Sequence, residues 1–224
     1  MPQSDAVLGM WSDIAAEADA EFNQWHSHEH IPERVNVPGF LSGRRYRSMT
    51  GRPRYFMTYE IESLATAVSP AYVARLNDPT KWTRRMTPHF RNFMRTAFRV
   101  TARHGSGYAG FAATLQVSPK TGRDDGLRRW LARTALPEIM KQPGIVVAQL
   151  WEADVDASNV ETAERAMRGG PDPLAAWVVL VEAIDGNRLR AACRTVLMRQ
   201  SLRDHGAAGR LTPEYFRLQH VIAN

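Results

Sequence analysis

Apolar runs at 6–14 and 109–117 are of strand length and predict a first strand in each half of the chain. Apolar residues then recur at helical spacing over 18–35 and 123–141, which predicts a helix in each. Pro32 and Pro137 fall near the ends of these helices, where a kink or a loosened last turn is expected. Pro-Gly pairs at 38–39 and 143–144 turn the chain. Second strands follow at 40–49 and 145–153, and third strands at 54–62 and 175–183. A second helix is expected near 64–76 and 186–203, and the first half adds a helical stretch near 83–95. Last strands are expected near 96–104 and 214–222. The order is βαββαβ, twice, and it divides the chain into units 1–105 and 106–224.

The two units are copies. Trp25, Pro32-Glu33 and Pro38-Gly39 recur as Trp130, Pro137-Glu138 and Pro143-Gly144, all at an offset of 105 residues. Phe22 matches Leu127 and Tyr46 matches Trp151 in the same register. Farther on, the stretch 55–60 resembles 177–182 at an offset of 122, so the second copy carries an insertion of 17 residues. It falls within 154–172, a polar stretch ending Gly169-Gly170-Pro171-Asp172, and reads as a surface excursion between strands.

A βαββαβ unit makes an antiparallel sheet with both helices on one face. Its other face is apolar and needs a cover. Two units in one chain can cover each other, sheet against sheet. The run WHSHEHIPERVNVPGF from Trp25 to Phe40 resembles the first-helix and Pro-Gly-Phe signature of the dimeric α+β barrel superfamily, in particular its EthD-like and uncharacterised bacterial members. The resemblance covers both halves. It implies an α+β fold, with two tandem ferredoxin-like units forming an intramolecular dimeric α+β barrel. It also implies a choice of activities: cofactor-free monooxygenation of phenols, muconolactone-type isomerisation, aldoxime chemistry or heme binding, or no activity.

Comparing the copies locates candidate chemistry. At the 105-residue offset, His26, His28, Glu29 and His30 face Leu131, Arg133, Thr134 and Ala135. Leu127, Leu131 and Ala135 are four apart and form an inward apolar stripe. By register, His26 and His30 point inward and His28 faces water. Glu29 should also turn toward the sheet, where it can orient an imidazole. Burying such groups is unfavourable unless they are paired, hydrated or used, so one working pocket and one filled pocket are expected.

Histidine titrates near neutrality and can take and return a proton. His26, Glu29 and His30 are therefore the candidate catalytic residues, with a histidine as base and Glu29 as its orienter. Arg44, Arg45 and Tyr46 lie on the next strand and can hold an anion; Arg44 and Arg45 alternate, so only one enters a given pocket. Tyr59 and Tyr72 can bind a substrate oxygen. Trp82 and His89 belong to a stretch peculiar to the first half, which reads as a lid or as decoration. These residues suit a lyase, isomerase or cyclase acting on a small cyclic or aromatic substrate, anionic or phenolic, without a cofactor. Alternatives are a cofactor-free monooxygenase and a non-enzymatic small-molecule-binding module.

His26-x-x-Glu29-His30 also matches a zinc-peptidase pattern, but nothing else supports a peptidase. A divalent metal at His26 and His30, with His89, Glu33 or Glu60 added, or heme on one of these histidines, is the cofactor alternative.

Composition narrows the rest. The chain has 224 residues, 44% hydrophobic, and no apolar run long enough for a bilayer, so no membrane partner is expected. No leader is visible, and the single Cys193 excludes an internal disulfide, so a cytoplasmic setting is expected. Net charge is +6, carried by arginines spread along the chain, with no nucleic-acid motif; nucleic acid is not an expected partner. Pairing with a second copy as a homodimer stays open.

Overall fold

The computed structural model describes residues 4–224. The first half contributes strands β1 (Ala6–Ile14), β2 (Phe40–Ser48), β3 (Tyr55–Ile61) and β4 (Phe90–Gly105). The second contributes β5 (Phe111–Pro119), β6 (Ile145–Ala153), β7 (Trp177–Ala183), the short β8 (Ala207–Ala208) and β9 (Glu214–Ala223). Within the halves the strands run β4-β1-β3-β2 and β9-β5-β7-β6, the same antiparallel ferredoxin-like order. Antiparallel pairing of β2 with β9 and of β4 with β6 joins the halves, so the described residues close an eight-stranded barrel. Closure leaves no sheet edge exposed along either seam.

The two apolar sheet faces meet inside the barrel. Trp11, Tyr46, Phe56, Phe98, Trp151 and Phe216 fill it. Trp11 and Phe56 stack at 5.1 Å, and the Trp11 indole N–H donates to Thr114 Oγ1 across the halves at 3.2 Å. At one end lies a buried polar knot. The Arg44 guanidinium donates to Glu182 at 2.6 Å and to Glu60 at 3.2 Å, and Tyr46 OH donates to Glu182 at 2.6 Å. Glu60 and Glu182 hold equivalent positions on β3 and β7, so one arginine joins the two halves. The outer faces carry the helices and two further cores, one per half.

The first long helix comprises Asp19–Trp25, a π turn at His26–His30, and Ile31–Val35. Its counterpart comprises Asp124–Trp130, a π turn at Leu131–Ala135, and Leu136–Met140. The loosened turn expected near the prolines is this π turn, slightly upstream of them. Pro32 and Pro137 have no N–H to donate, and their rings crowd the carbonyl four residues back, so the preceding turn widens. The turns after the helices need Gly39 and Gly144, at φ +89° and +81°.

Two expectations are corrected. The stretch 83–95 is helical only over Lys81–Met86 and a 3-10 turn at Thr87–His89; strand β4 begins at Phe90. The β1–β4 register shifts by one residue near Asn92, which has φ +51°, and such a bulge lets Phe90 and Phe93 both pack on the first core. From Phe90 the stretch is therefore a bulged strand rather than a helix. The second-half insertion is also more than a surface excursion. It carries helices Val155–Ser158 and Ala163–Met167 and folds across the helix side of the first half, where Ala157 joins the first core and Asn77 Oδ1 accepts from the Ala163 N–H at 3.0 Å. No helix among the described residues is long and apolar enough to cross a membrane.

Candidate active site

The first long helix turns His26, His30 and Arg34 onto one cavity, each four residues from the last. Met57 and Tyr59 of β3 and Met10 of β1 face them. In the second half the equivalent positions are Leu131, Ala135, Ile139, Val179, Val181 and Leu115, all buried in one aliphatic core. The same space is filled in one copy and open in the other. The first-half cavity has a water-reachable core of about 50 Å³ inside an envelope of about 770 Å³ that includes its mouth. That core has room for about four waters, or part of a small ring. The insertion from the second half forms the cover, with Glu164 paired to Arg34 and Arg168 stacked on Phe93 at 4.4 Å.

The polar groups here are short of partners. His26 Nδ1, His30 Nδ1, Tyr59 OH and one terminal nitrogen of Arg34 are buried with no hydrogen-bond partner. His26 is 1% exposed. Burial, reinforced by nearby Arg45 for His26 and by Arg34 for His30, holds both imidazoles well below the usual histidine range. Both are neutral at pH 7 and have a lone pair to accept a proton. Burial likewise raises the Tyr59 phenol, so it stays a neutral donor. Arg34 keeps its charge because Glu164 and Glu33 lie beside it. Gly43, paired opposite Tyr59, leaves room for the ring; a Cβ there would come within 2.8 Å of it.

The other residues expected at the site lie elsewhere. Glu29 orients neither imidazole; its carboxylate accepts from Thr80 at 2.5 Å and from the Trp25 indole at 3.1 Å, tying the helix to the neighbouring segment. Arg44 and Tyr46 face the barrel interior, in the buried knot. Arg45 takes the helix side, donating to the Asn23 carbonyl at 3.3 Å, and stands behind His26 rather than in the cavity wall. The register shift in β2 between Phe40 and Ser42 is one reason a parity count from the sequence does not say which arginine faces which way. Trp82 donates to Glu21 at 3.0 Å beside the helix, and His89 lies outside the lining; Thr83 and Thr87 of that stretch do reach it. His28 is exposed, as its register predicts. Tyr72 lines the cavity with Tyr59.

Sequence reasoning missed Arg34 and the cover. Arg34 had a signal: it is the next residue of the His26–His30 stripe, and it faces Ile139 at the same offset. Glu164 had none, being 130 residues from Arg34 in an insertion without a counterpart.

The solved structures similar to this chain have the same architecture. One is an anthrone oxidase-like protein, 10% identical, covering 97% of this chain and 92% of its own, with a TM-score of 0.64. A second is a monooxygenase candidate from Lactobacillus acidophilus NCFM, 9% identical, covering 99% and 97%, with a TM-score of 0.59. A third is a chlorite dismutase variant from Candidatus Nitrospira defluvii, 9% identical, covering 98% and 93%, with a TM-score of 0.57. The chain has the dimeric α+β barrel fold. At these identities the similarity concerns the fold alone. No protein-family model and no curated protein matches the sequence.

A divalent metal or heme at His26 and His30 was the cofactor alternative, so the fit of such groups matters. No group of three or more His, Cys, Asp or Glu among the described residues could share a metal ion. The third residue of the stripe is a cation, Arg34. Glu33 is engaged by Arg75 at 3.0 Å, and Glu60 sits in the barrel. The residues present do not fit a shared metal ion.

Proposed function

We propose that the first-half cavity is the active site of a cofactor-independent enzyme acting on a small cyclic or aromatic, phenolic or enolisable substrate. The observation that carries this is two neutral, partner-poor imidazoles beside a tyrosine hydroxyl, in a space that the second copy fills with Leu, Ala and Val. His26 or His30 takes a proton from the substrate, and Tyr59 donates to the oxygen on which the charge collects. The apolar walls, Met10, Met57 and Trp25, exclude water and keep the hydrogen bonds strong. Protonation of the anion at another carbon completes an isomerisation; expulsion of a leaving group from the carbon next to the anion completes a lyase reaction. Reaction of the same anion with dioxygen, with return of the abstracted proton, gives a hydroperoxide; its loss of water leaves a carbonyl and completes a monooxygenation. The fold likeness to the anthrone oxidase-like protein and the monooxygenase candidate supports the last of these fates.

Oxygen uptake and product analysis with electron-rich phenols and small enolisable rings test this reading. His26→Ala or His30→Ala is expected to lower turnover about 10²- to 10⁴-fold with the fold retained. His28→Ala should do little. Equal turnover in all three variants contradicts the proposal.

A further inference from the structure

We infer that Arg34 is the anion-binding residue of this cavity and that Glu164 is a counter-ion the ligand displaces, so the site accepts small planar monoanions and discriminates against neutral isosteres. The inference rests on the reading of the cavity as the substrate site and adds the charge of the substrate and the device that selects it.

The argument starts from space. The water-reachable core, about 50 Å³, is too small for a substituted ring, so a ligand enters only if the cover moves. The cover is held at Arg34 by Glu164, which comes from the second half. Arg34 is 2% exposed and Glu164 6% exposed. Withdrawing Glu164 would leave a guanidinium buried without its close partner; Glu33 stays at 3.8 Å and is shared with Arg75. A buried unpaired charge is strongly unfavourable. The cover can therefore open onto a ligand only if that ligand brings an anion of its own.

Other features of the wall agree. One terminal nitrogen of Arg34 has no partner, and neither has Tyr59 OH. A carboxylate or phenolate lying between them meets a donor from each, and the flat guanidinium suits a carboxylate edge-on. The lining holds four arginines, Arg34, Arg95, Arg165 and Arg168, against two carboxylates, Glu164 and Asp172, with both histidines neutral. Arg168 is tied to Asp172 at 2.7 Å and caps Phe93. Gly169 and Gly170 follow at φ +98° and +123°, in a turn that ends the cover.

Calorimetric titration of the full chain with benzoate and with its neutral isostere benzamide tests the inference, with intrinsic tryptophan fluorescence as a second signal. Benzoate is expected to bind at least about tenfold tighter than benzamide. Glu164→Gln removes the competitor and should tighten benzoate about tenfold while leaving benzamide unchanged. Arg34→Gln should abolish the preference. Where that variant fails to fold because Glu164 is stranded, the double variant Arg34→Gln/Glu164→Gln removes both charges and should bind the two ligands equally. Equal affinity of the wild-type protein for both ligands, binding of neither, or weaker benzoate binding in Glu164→Gln would overturn the inference. Its failure is separable from that of the catalytic reading. Turnover that survives both histidine substitutions contradicts that reading and leaves the charge preference standing.

Discussion

The helix sides of the two halves are built on the same backbone plan and differ in what the plan encloses. In the second half Leu131, Ala135, Ile139, Val179 and Val181 close the space between helix and sheet. In the first half His26, His30, Arg34, Met57 and Tyr59 line a cavity, and the second half's insertion is needed to cover it. Both helices carry the π turn, so the turn is a consequence of the shared prolines and not of the site. The difference is one of side chains placed on two units of the same strand order. The filled copy shows what the scaffold does when only stability is at stake.

Mirrored substitutions separate the two regions, and the largest effect is expected from moving polarity into the filled one. Leu131→His puts an imidazole where no cavity, cover or polar neighbour awaits it. It is expected to lower unfolding free energy by about 3–5 kcal/mol in chemical denaturation at pH 7. A cost below about 1 kcal/mol would show that the second half is as adaptable as the first and would break the comparison.

A smaller effect of opposite sign comes from moving the apolar fill into the first half. The folded-state pKa of both His26 and His30 lies below the unfolded value near 6.5. Above that value both states are neutral and nothing changes. As the pH falls below it, the unfolded chain binds protons that the folded chain refuses, and stability is lost. The double variant His26→Leu/His30→Ala copies the second half and should reduce the loss between pH 6.5 and 5 by on the order of 1–2 kcal/mol, read as a raised Tm at pH 5. An unchanged acid profile would mean that the imidazoles titrate normally and are not buried as described.

Much of this was legible in the sequence because each half can be read against the other. The βαββαβ order, the intramolecular sheet-on-sheet barrel and the inward face of His26 and His30 all follow from register between the copies. Arg34 was within reach of the same comparison, one helical step beyond His30. What was not legible depends on distance or on local irregularity. Glu164 reaches Arg34 from the other half. The β2 register shift complicates assigning faces to Arg44 and Arg45, and the Asn92 bulge breaks the alternation of β4. Glu29 adjoins His30 in sequence but bonds to Thr80, because neighbours on a helix point in different directions.

The most direct test of the central claim is an NMR titration with benzoate that follows the imidazole resonances of His26 and His30 together with the methyl resonances of Leu131 and Val181. The account predicts shifts in the two imidazoles, both neutral at pH 7 before and after addition, with the second-half methyls unmoved. Shifts of the Leu131 and Val181 methyls with silent imidazoles would place the ligand in the wrong half and contradict it.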